Sequence, residues 1–231
     1  MAWADHLAGI FIALEGVDGS GKSTIAERLL RAVRESGHDA ILTREPGGTA
    51  IGEQIRTVLL GDDAIVMVPQ TEALLFAAAR AQLVGEVIQP ELARGTVVIT
   101  DRFTDSSLAY QWGGRQLDQH AVIAVQELAT AGLEPDLKIL LDLPVEVGLR
   151  RRLAVGDEAN RLDREALQFH TRVRDAYHSL VAADPARWRV IDAEGPENRV
   201  WADVWEAVSS YGLAREIIGF SLSESTERGQ P

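Results

Sequence analysis

The sequence predicts an α/β protein with a five-stranded parallel sheet and helices on both faces. Two observations carry this prediction. Short apolar runs alternate with segments of helical periodicity along most of the chain, and a glycine-rich turn joins the first run to the first helical pattern. Ligands of such sheets bind at the carboxyl ends of the strands. We therefore expect the functional residues in the segments that follow each strand.

Five short apolar runs are the predicted strands, at residues 10–14, 40–43, 97–100, 137–143 and 189–192. Helices are predicted from near Lys22 to before Gly37, and at 51–60, 69–94, from the third strand to about 131, and 197–217. Pro69 suits the first turn of its helix. We expect one domain over residues 1–220 and a disordered tail over residues 221–231, which are rich in Ser, Glu, Gly and Gln.

The composition excludes several classes of protein. A formal net charge of -12 argues against a protein that coats nucleic acid, since such proteins depend on basic surface. The chain has no cysteine, which excludes disulfides and thiolate chemistry. No apolar run approaches the ~20 residues of a membrane span, and the first residues do not resemble a signal peptide. We expect a cytoplasmic protein without a membrane or nucleic-acid partner.

The turn after the first strand matches the pattern Gly-x-x-x-x-Gly-Lys-Ser of a P-loop. Glycines allow backbone N–H groups to approach a phosphate, and the helix that follows adds its positive dipole end. Lys22 is expected to reach the outer phosphates, and the Ser23 hydroxyl to ligate Mg²⁺. The alternative is a glycine-rich turn without a ligand. The predicted phosphate-binding residues are Gly16, Val17, Asp18, Gly19, Ser20, Gly21, Lys22 and Ser23.

Asp101 and Arg102 follow the third strand directly. A carboxylate at a strand's carboxyl end, close to a P-loop, can hold Mg²⁺ directly or through water. Asp101 can equally be the N-cap of the next helix, and Arg102 can form a surface ion pair. We predict Ser23 and Asp101 as the metal-site residues.

The loop after the second strand contains Arg44, Glu45 and Pro46, followed by two glycines that end the strand. Charged side chains at a strand's carboxyl end indicate a second anion site, to which Arg56 in the next helix would contribute. The alternative is a simple connecting loop. Glu45, Pro46 and Arg56 are therefore predicted substrate-site residues.

Phe76 and Arg80 are four residues apart on a predicted helix and share one face. An aromatic ring beside a guanidinium can form a stacking platform with a donor for a base edge, although a helical phenylalanine is more often core. Ser107, Tyr110 and Gln111 follow Asp101 within a few turns and offer polar groups to the same crevice. Their alternative is the polar face of a helix.

Arginines flank a polar stretch at residues 155–160. A charge run is usually solvated surface, but a basic segment between two helices can also be a lid that closes over phosphates. We predict a lid at about residues 150–163. It carries Arg150, Arg151 and Arg152 before the polar stretch and Arg161 after it.

Taken together, these motifs resemble the bacterial thymidylate kinase (dTMP kinase) family. The resemblance extends over residues 9–211 and rests on the segments GVDGSGKS, TREPGGT, LLFAAAR, DRFTDSSLAYQ and NRLDRE. Many NTPases share the P-loop, whereas the second and fourth segments are much more particular to this family. The resemblance implies a P-loop nucleoside monophosphate kinase fold with a short lid, ATP and Mg²⁺ as cofactors, dTMP as substrate, and a homodimer.

The resemblance also implies roles for individual residues. Asp18 would contact the 3′-hydroxyl of dTMP, Tyr110 would favour deoxyribose, and Phe76 would stack on thymine. Arg80 would bond the O4 edge, and Ser107 and Gln111 would line the base. The remaining charged residues would serve phosphoryl transfer: Arg56 and Arg102 as phosphate-holding arginines, and Arg161 as the lid arginine. Phe103 departs from the family, which often has Tyr or His there.

Two rival functions can be compared with these motifs. A GTPase-type switch would need a guanine-reading Asn-Lys-x-Asp, but the only lysines, Lys22 and Lys138, do not lie in one. A P-loop kinase for a nucleoside or for another monophosphate is nearer and would differ at the acceptor pocket. Arg56 together with the pair Phe76 and Arg80 favours a pyrimidine monophosphate.

Overall fold

The structure is a computed structural model that describes residues 9–61, 66–154, 161–163 and 165–211. Five parallel strands form one sheet, as the sequence predicts. The strands are β1 (Phe11–Glu15), β2 (Ala40–Arg44), β3 (Val97–Asp101), β4 (Leu137–Asp142) and β5 (Trp188–Asp192). Their order across the sheet, which the sequence did not predict, is β2-β3-β1-β4-β5. The polar loops after β1, β2 and β3 therefore meet at one edge, because these three strands are neighbours.

Helices connect the strands. The bounds are α1 (Lys22–Glu35), α2 (Ala50–Leu60), α3 (Pro69–Leu83), α4 (Gln89–Ala93), α5 (Thr104–Ser107), α6 (Gln119–Thr130), α7 (Val145–Ala154), α8 (Leu167–Ala183) and α9 (Glu197–Ser210). A π-helical segment, Val84–Ile88, joins α3 to α4, so the helix predicted at residues 69–94 is one continuous helical path. A second π-helical segment, Leu108–Gly114, follows α5.

The prediction of one long helical region up to residue 131 was wrong. The helical path ends at Gly114, Gln116 adopts a left-handed conformation with φ 59, and α6 begins at Gln119. The Asp118 side chain accepts a 2.9 Å hydrogen bond from the backbone of Ala121 and so caps the new helix. Hydrophobic periodicity did not reveal this break because both helices bury apolar residues.

Alternate residues of β1 face two different apolar layers, as expected for a sheet covered on both sides. Ile12 and Leu14 pack with Ile25 of α1 in one core cluster. Phe11 and Ala13 pack in the other cluster, whose helical members include Leu83 at the end of α3. The sheet is therefore rigidly held between helices, and its carboxyl edge provides a fixed base for the loops of the site.

Three predicted features lie outside the described residues. They are the polar stretch at residues 155–160, the end of the last helix after residue 211, and the tail at 221–231. The single-domain and lid boundaries stay predictions. Within the described part of the chain, no helix combines the length and apolar character that crossing a membrane would need.

Candidate active site

The P-loop runs from the end of β1 into the start of α1. Lys22 is only 6% exposed, and its Nζ donates to the carbonyl oxygen of Val17 at 2.8 Å and to Ser20 Oγ at 3.2 Å. Burial lowers the pKa of Lys22 to about 8, and the nearby Arg102 charge acts in the same direction. The ammonium is thus held at the centre of the loop, where its charge is poorly solvated and suited to an anion.

The tip of the P-loop is closed by another helix. Gly19 has a φ of 77, and a Cβ there would lie 2.1 Å from the carbonyl oxygen of Gly148 in α7. A Cβ on Gly148 would in turn lie 2.4 Å from the carbonyl oxygen of Asp18. Both glycines are therefore required by direct backbone contact between the loop and α7.

Ser23 and Asp101, the two predicted metal-site residues, are in contact. Ser23 Oγ donates a 2.6 Å hydrogen bond to Asp101 Oδ2 at the end of β3. Among the described residues no group of three or more His, Cys, Asp or Glu side chains could hold a metal ion alone. This fits Mg²⁺, which binds through one or two protein oxygens together with substrate phosphates rather than in an all-protein cage.

Arg102 lies between the P-loop and the rest of the cleft. Its backbone is left-handed with φ 77, and its guanidinium donates to Asp18 Oδ1 at 2.6 Å and to the carbonyl oxygen of Gly16 at 3.1 Å. Tyr110 Oη donates to the other Asp18 oxygen at 2.7 Å. Burial alone would raise the pKa of Asp18, but Arg102 and Lys22 hold it at about 2. Asp18, Arg102 and Tyr110 therefore form one hydrogen-bonded cluster around the ion pair of Asp18 and Arg102.

Glu15, the last residue of β1, lies behind this cluster and was missed by the sequence analysis. It is fully buried and accepts hydrogen bonds from Ser106 Oγ at 2.6 Å and from Tyr177 Oη at 2.8 Å. Burial, together with the nearby Asp105 charge, raises the pKa of Glu15 to about 7. The sequence did contain one indication of this role, because Glu15 is a charged residue directly after the apolar run of residues 10–14.

Arg80 on α3 is fully buried, and all five of its N–H donors are used. Nε and Nη2 bind Glu45 Oε2, Nη1 binds Ser107 and Gln126, and Nη2 also binds the carbonyl oxygen of Phe103. Gln126 was not predicted. The loop after β2 thus turns Glu45 inward to an arginine, while the carbonyl oxygen of Pro46 accepts a 2.8 Å bond from Arg56.

Gln111 and the predicted lid arginine Arg161 both bind Glu72, a buried carboxylate on α3 that the sequence analysis missed. Gln111 Nε2 donates to Glu72 at 3.1 Å, and Arg161 Nη2 donates to it at 2.6 Å. Arg161 Nε also donates to the carbonyl oxygen of Leu59 at 3.3 Å. In this structure Arg161 is therefore bound beside Gln111.

Most of the predicted site residues line one cleft of about 920 Å³. The residues that share it are Asp18, Gly19, Ser20, Gly21, Lys22, Ser23, Glu45, Pro46, Arg56, Phe76, Arg80, Asp101, Arg102, Ser107, Tyr110 and Gln111. Gly16 and Val17 contribute carbonyl oxygens behind it, and Arg161 is not among its described lining residues.

Two further arginines line the cleft from α7. Arg151 donates to the carbonyl oxygens of Ala193 and Glu194, each at 2.9 Å. Arg152 also lines the cleft, and its Nε donates to Asp163 at 3.1 Å. The arginines before and after the polar stretch are thus placed differently: Arg151 and Arg152 line the cleft, whereas Arg161 binds Glu72.

The family model described as thymidylate kinase matches residues 14–204. The thymidylate kinase of Thermomicrobium roseum is 51% identical over 199 residues, covering 86% of this chain and 94% of the relative. That of Desulforudis audaxviator is 46% identical over 214 residues, covering 92% and 96%. The crystal structure of thymidylate kinase from Ehrlichia chaffeensis superposes with a TM-score of 0.72 at 30% identity, covering 87% and 98%.

Proposed function

This chain belongs to the thymidylate kinase family, whose members phosphorylate dTMP to dTDP with ATP and Mg²⁺, and we propose how its cleft carries out that reaction. The observation that carries the proposal is the continuity of the cleft. The P-loop residues 18–23, Asp101 and the buried Arg80 all line the same cleft. Arg102 lines it as well and is bonded to the P-loop through Gly16 and Asp18, so it can contact both anionic substrates.

The donor nucleotide is proposed to bind at the P-loop. Backbone N–H groups of residues 16–23 and the Lys22 ammonium would hold the phosphates of ATP. Ser23 and Asp101 would hold Mg²⁺, which neutralises phosphate charge when bound. Lys22 has to exchange its bonds to Val17 and Ser20 for phosphate oxygens, which are stronger acceptors.

The acceptor dTMP is proposed to bind between Arg102 and Arg80. Arg56 and Arg102 would hold its phosphate, Asp18 would contact the 3′-hydroxyl, and Tyr110 would pack against the deoxyribose. No general base is needed, because the attacking phosphate oxygen is already ionised. The chain's residues have to orient that oxygen in line with the bond that breaks, and to exclude water.

The base is proposed to stack on Phe76, which is half-buried and lines the cleft. Ser107 and Gln111 would line its edge. Arg80 would donate to O4, and because its five donors are occupied it has to share one that now binds a neutral group, Ser107 or Gln126. The bond to Glu45 keeps the guanidinium fixed while this exchange occurs.

The lid is proposed to supply a further cation to the transferred phosphoryl group. Arg161 is the proposed residue, and it would have to leave Glu72 to reach that group. Glu45 and Pro46 are proposed to shape the acceptor site, Glu45 through Arg80 and Pro46 through Arg56.

The test is an ADP-release assay with a panel of nucleosides and nucleoside monophosphates. We expect dTMP to be the best acceptor, and thymidine, which lacks the attacking phosphate, to be inactive. Ribosyl-TMP should be used less well than dTMP, and Tyr110→Ala should reduce that preference. A nucleoside used better than every monophosphate would favour the rival nucleoside kinase.

We also propose a homodimer that acts in the cytoplasm, where ATP and nucleoside monophosphates are available. Leu74 on α3 is 58% exposed and Leu128 on α6 is 85% exposed, and these helices pack against each other. Large apolar side chains on adjacent helices favour association with a second copy. Light scattering should give twice the chain mass, and Leu74→Glu with Leu128→Glu should give a monomer.

A further inference from the structure

Glu72 is a fully buried carboxylate that accepts four hydrogen bonds. Gln111 Nε2 donates at 3.1 Å, Arg115 donates from Nε at 3.1 Å and from Nη2 at 3.0 Å, and Arg161 Nη2 donates at 2.6 Å. Burial alone would raise the pKa of Glu72, but the hydrogen bonds from these residues hold it below its ordinary value. Glu72 is therefore ionised, and an ionised carboxylate can only accept.

This state of Glu72 determines the orientation of the Gln111 carboxamide. The amide nitrogen has to face Glu72, because an oxygen there would face another acceptor. Gln111 Oε1 then points away from Glu72, where it is buried without a hydrogen-bond partner among the described residues. Gln111 is 1% exposed and lines the cleft at the proposed base site. A buried acceptor without a partner is unfavourable, and a donor from a bound ligand or from a water molecule would satisfy it.

We propose that Glu72 is a positioning residue for base recognition: it fixes Gln111 so that Oε1 accepts a hydrogen bond from N3–H of the pyrimidine. The inference rests on the proposed function, because it places the base beside Gln111. Glu72 itself does not line the cleft and acts only through Gln111.

The chemistry of the pyrimidines makes this arrangement selective. Thymine and uracil carry a hydrogen on N3, whereas N3 of cytosine is an acceptor. An oxygen held at this position pairs with the first two bases and opposes cytosine. Arg80 opposes cytosine independently, since it offers donors to position 4, where cytosine carries an amino group. Glu72 controls only the contribution of Gln111.

Glu72→Gln is expected to reverse the orientation of Gln111. A neutral amide at position 72 has one acceptor oxygen, which Arg115 and Arg161 would occupy as the stronger donors. Its NH₂ group would then face Gln111, whose oxygen would turn to accept from it. Gln111 would present Nε2 to the base and would no longer oppose an acceptor at ring position 3.

The test compares the Kd of dTMP with the Kd of 5-methyl-dCMP, which keeps the methyl group and differs only at ring positions 3 and 4. We expect the preference for dTMP to fall roughly tenfold in Glu72→Gln, the scale of one hydrogen bond exchanged for a mismatch. Gln111→Leu should lower the preference as well. In the Gln111→Leu background, Glu72→Gln should change the preference no further, because the intermediary is gone. Glu86→Gln, at an exposed glutamate of the same helical path, is the matched control.

Each outcome separates the inference from the proposed function. Wild-type protein that does not bind dTMP would contradict the proposed function. Wild-type protein that prefers dTMP, with the same preference in Glu72→Gln, would overturn the inference alone. Equal loss of affinity for both nucleotides would show a purely structural role for Glu72 and would also overturn it, since loss of Arg161 or of packing does not distinguish the bases.

A second measurement needs no change at position 72, in case Glu72→Gln does not fold. The side-chain NH₂ resonances of Gln111 can be assigned in the ¹⁵N spectrum by their absence in Gln111→Leu. We expect these protons to exchange slowly with solvent in the free protein, because they are buried and donate to Glu72. Exchange as fast as in an exposed glutamine would overturn the inference.

Discussion

Ser23 Oγ donates to Asp101 Oδ2 at 2.6 Å although the two residues are 78 positions apart in sequence. The contact exists because β1 and β3 are neighbours in register, with Leu14 opposite Asp101, and the P-loop follows β1 directly. Sheet topology thus brings a hydroxyl and a carboxylate, both suitable Mg²⁺ ligands, to one point at the strand ends.

Asp101→Asn should weaken the use of Mg²⁺. Because an amide carries no negative charge, we expect the Mg²⁺ concentration for half-maximal rate to rise roughly 10–100-fold, the usual effect of losing a residue that supports a metal. The measurement is a Mg²⁺ titration of initial rate at saturating ATP and dTMP. Asp39→Asn, at an exposed site, is the control. A lower rate with unchanged Mg²⁺ dependence would refute the assignment.

Lys22 should give the reaction an alkaline limit. Burial lowers its pKa to about 8, and only the charged form attracts phosphates, so kcat/KM for ATP should fall as the pH rises through about 8. Bound phosphates favour the charged form, so the fall in kcat should come at higher pH. Lys22→Ala should abolish turnover in a protein that still folds. Near-normal kcat in that variant would contradict phosphate binding by Lys22.

Arg161→Ala should reduce kcat by about 10³-fold or more with little change in the KM for dTMP, because an arginine of this kind acts mainly in the transition state. Lysine at position 161 should restore only part of the rate, since it lacks the planar fork. The measurement is kcat and the KM for dTMP by steady-state kinetics in Arg161→Ala, compared with the same constants in Arg151→Ala. A mild effect at 161 with a severe one at 151 would assign the role to α7, whose arginines line the cleft.

Glu15 should make the protein less stable as the pH rises towards neutrality. Its pKa is about 7 in the folded protein against an ordinary 4.5, so the folded state binds more protons between these values. The favourable contribution is complete below pH 4.5 and lost above pH 7, a difference of about 3 kcal/mol in the free energy of unfolding.

Glu15→Gln removes this titration. We measure the free energy of unfolding in urea at pH 5, 6, 7 and 8. As the pH rises, the wild type should lose stability through this titration and the variant should not, so the variant should become more stable relative to the wild type. The exposed Glu27→Gln, on α1, should show no such trend. A stability difference between Glu15→Gln and wild type that is constant with pH would contradict the raised pKa of Glu15.

The sequence predicted the strands well because their signal is local. Each strand is a short apolar run. The P-loop can be recognised from the spacing of its glycines between a strand and a helix. The break before α6 was missed because it depends on the left-handed Gln116 and the Asp118 cap. Neither feature interrupts the apolar pattern on which the prediction of one long helix rested.

The residues behind the site could not be predicted in the same way. Glu15 and Tyr177 are 162 positions apart, and their hydrogen bond depends on where α8, which packs against the π-helical segment Leu108–Gly114 and α7, places Tyr177. In the sequence, Glu72 is an ordinary polar residue near the start of a helix. Its role depends on Gln111, Arg115 and Arg161, which reach it only in the folded protein. Pairings of this kind follow from tertiary packing, which no local pattern in one sequence encodes.

The contact between Gly19 and Gly148 means that the conformation of the P-loop depends on α7 as well as on the eight residues of the loop itself. A peptide containing only β1, the loop and α1 would lack α7, which the tip of the loop contacts. Evolutionary or engineered exchange of the motif between proteins would thus have to bring a matching surface with it. The P-loop and the helix that carries Arg151 and Arg152 form one structural unit.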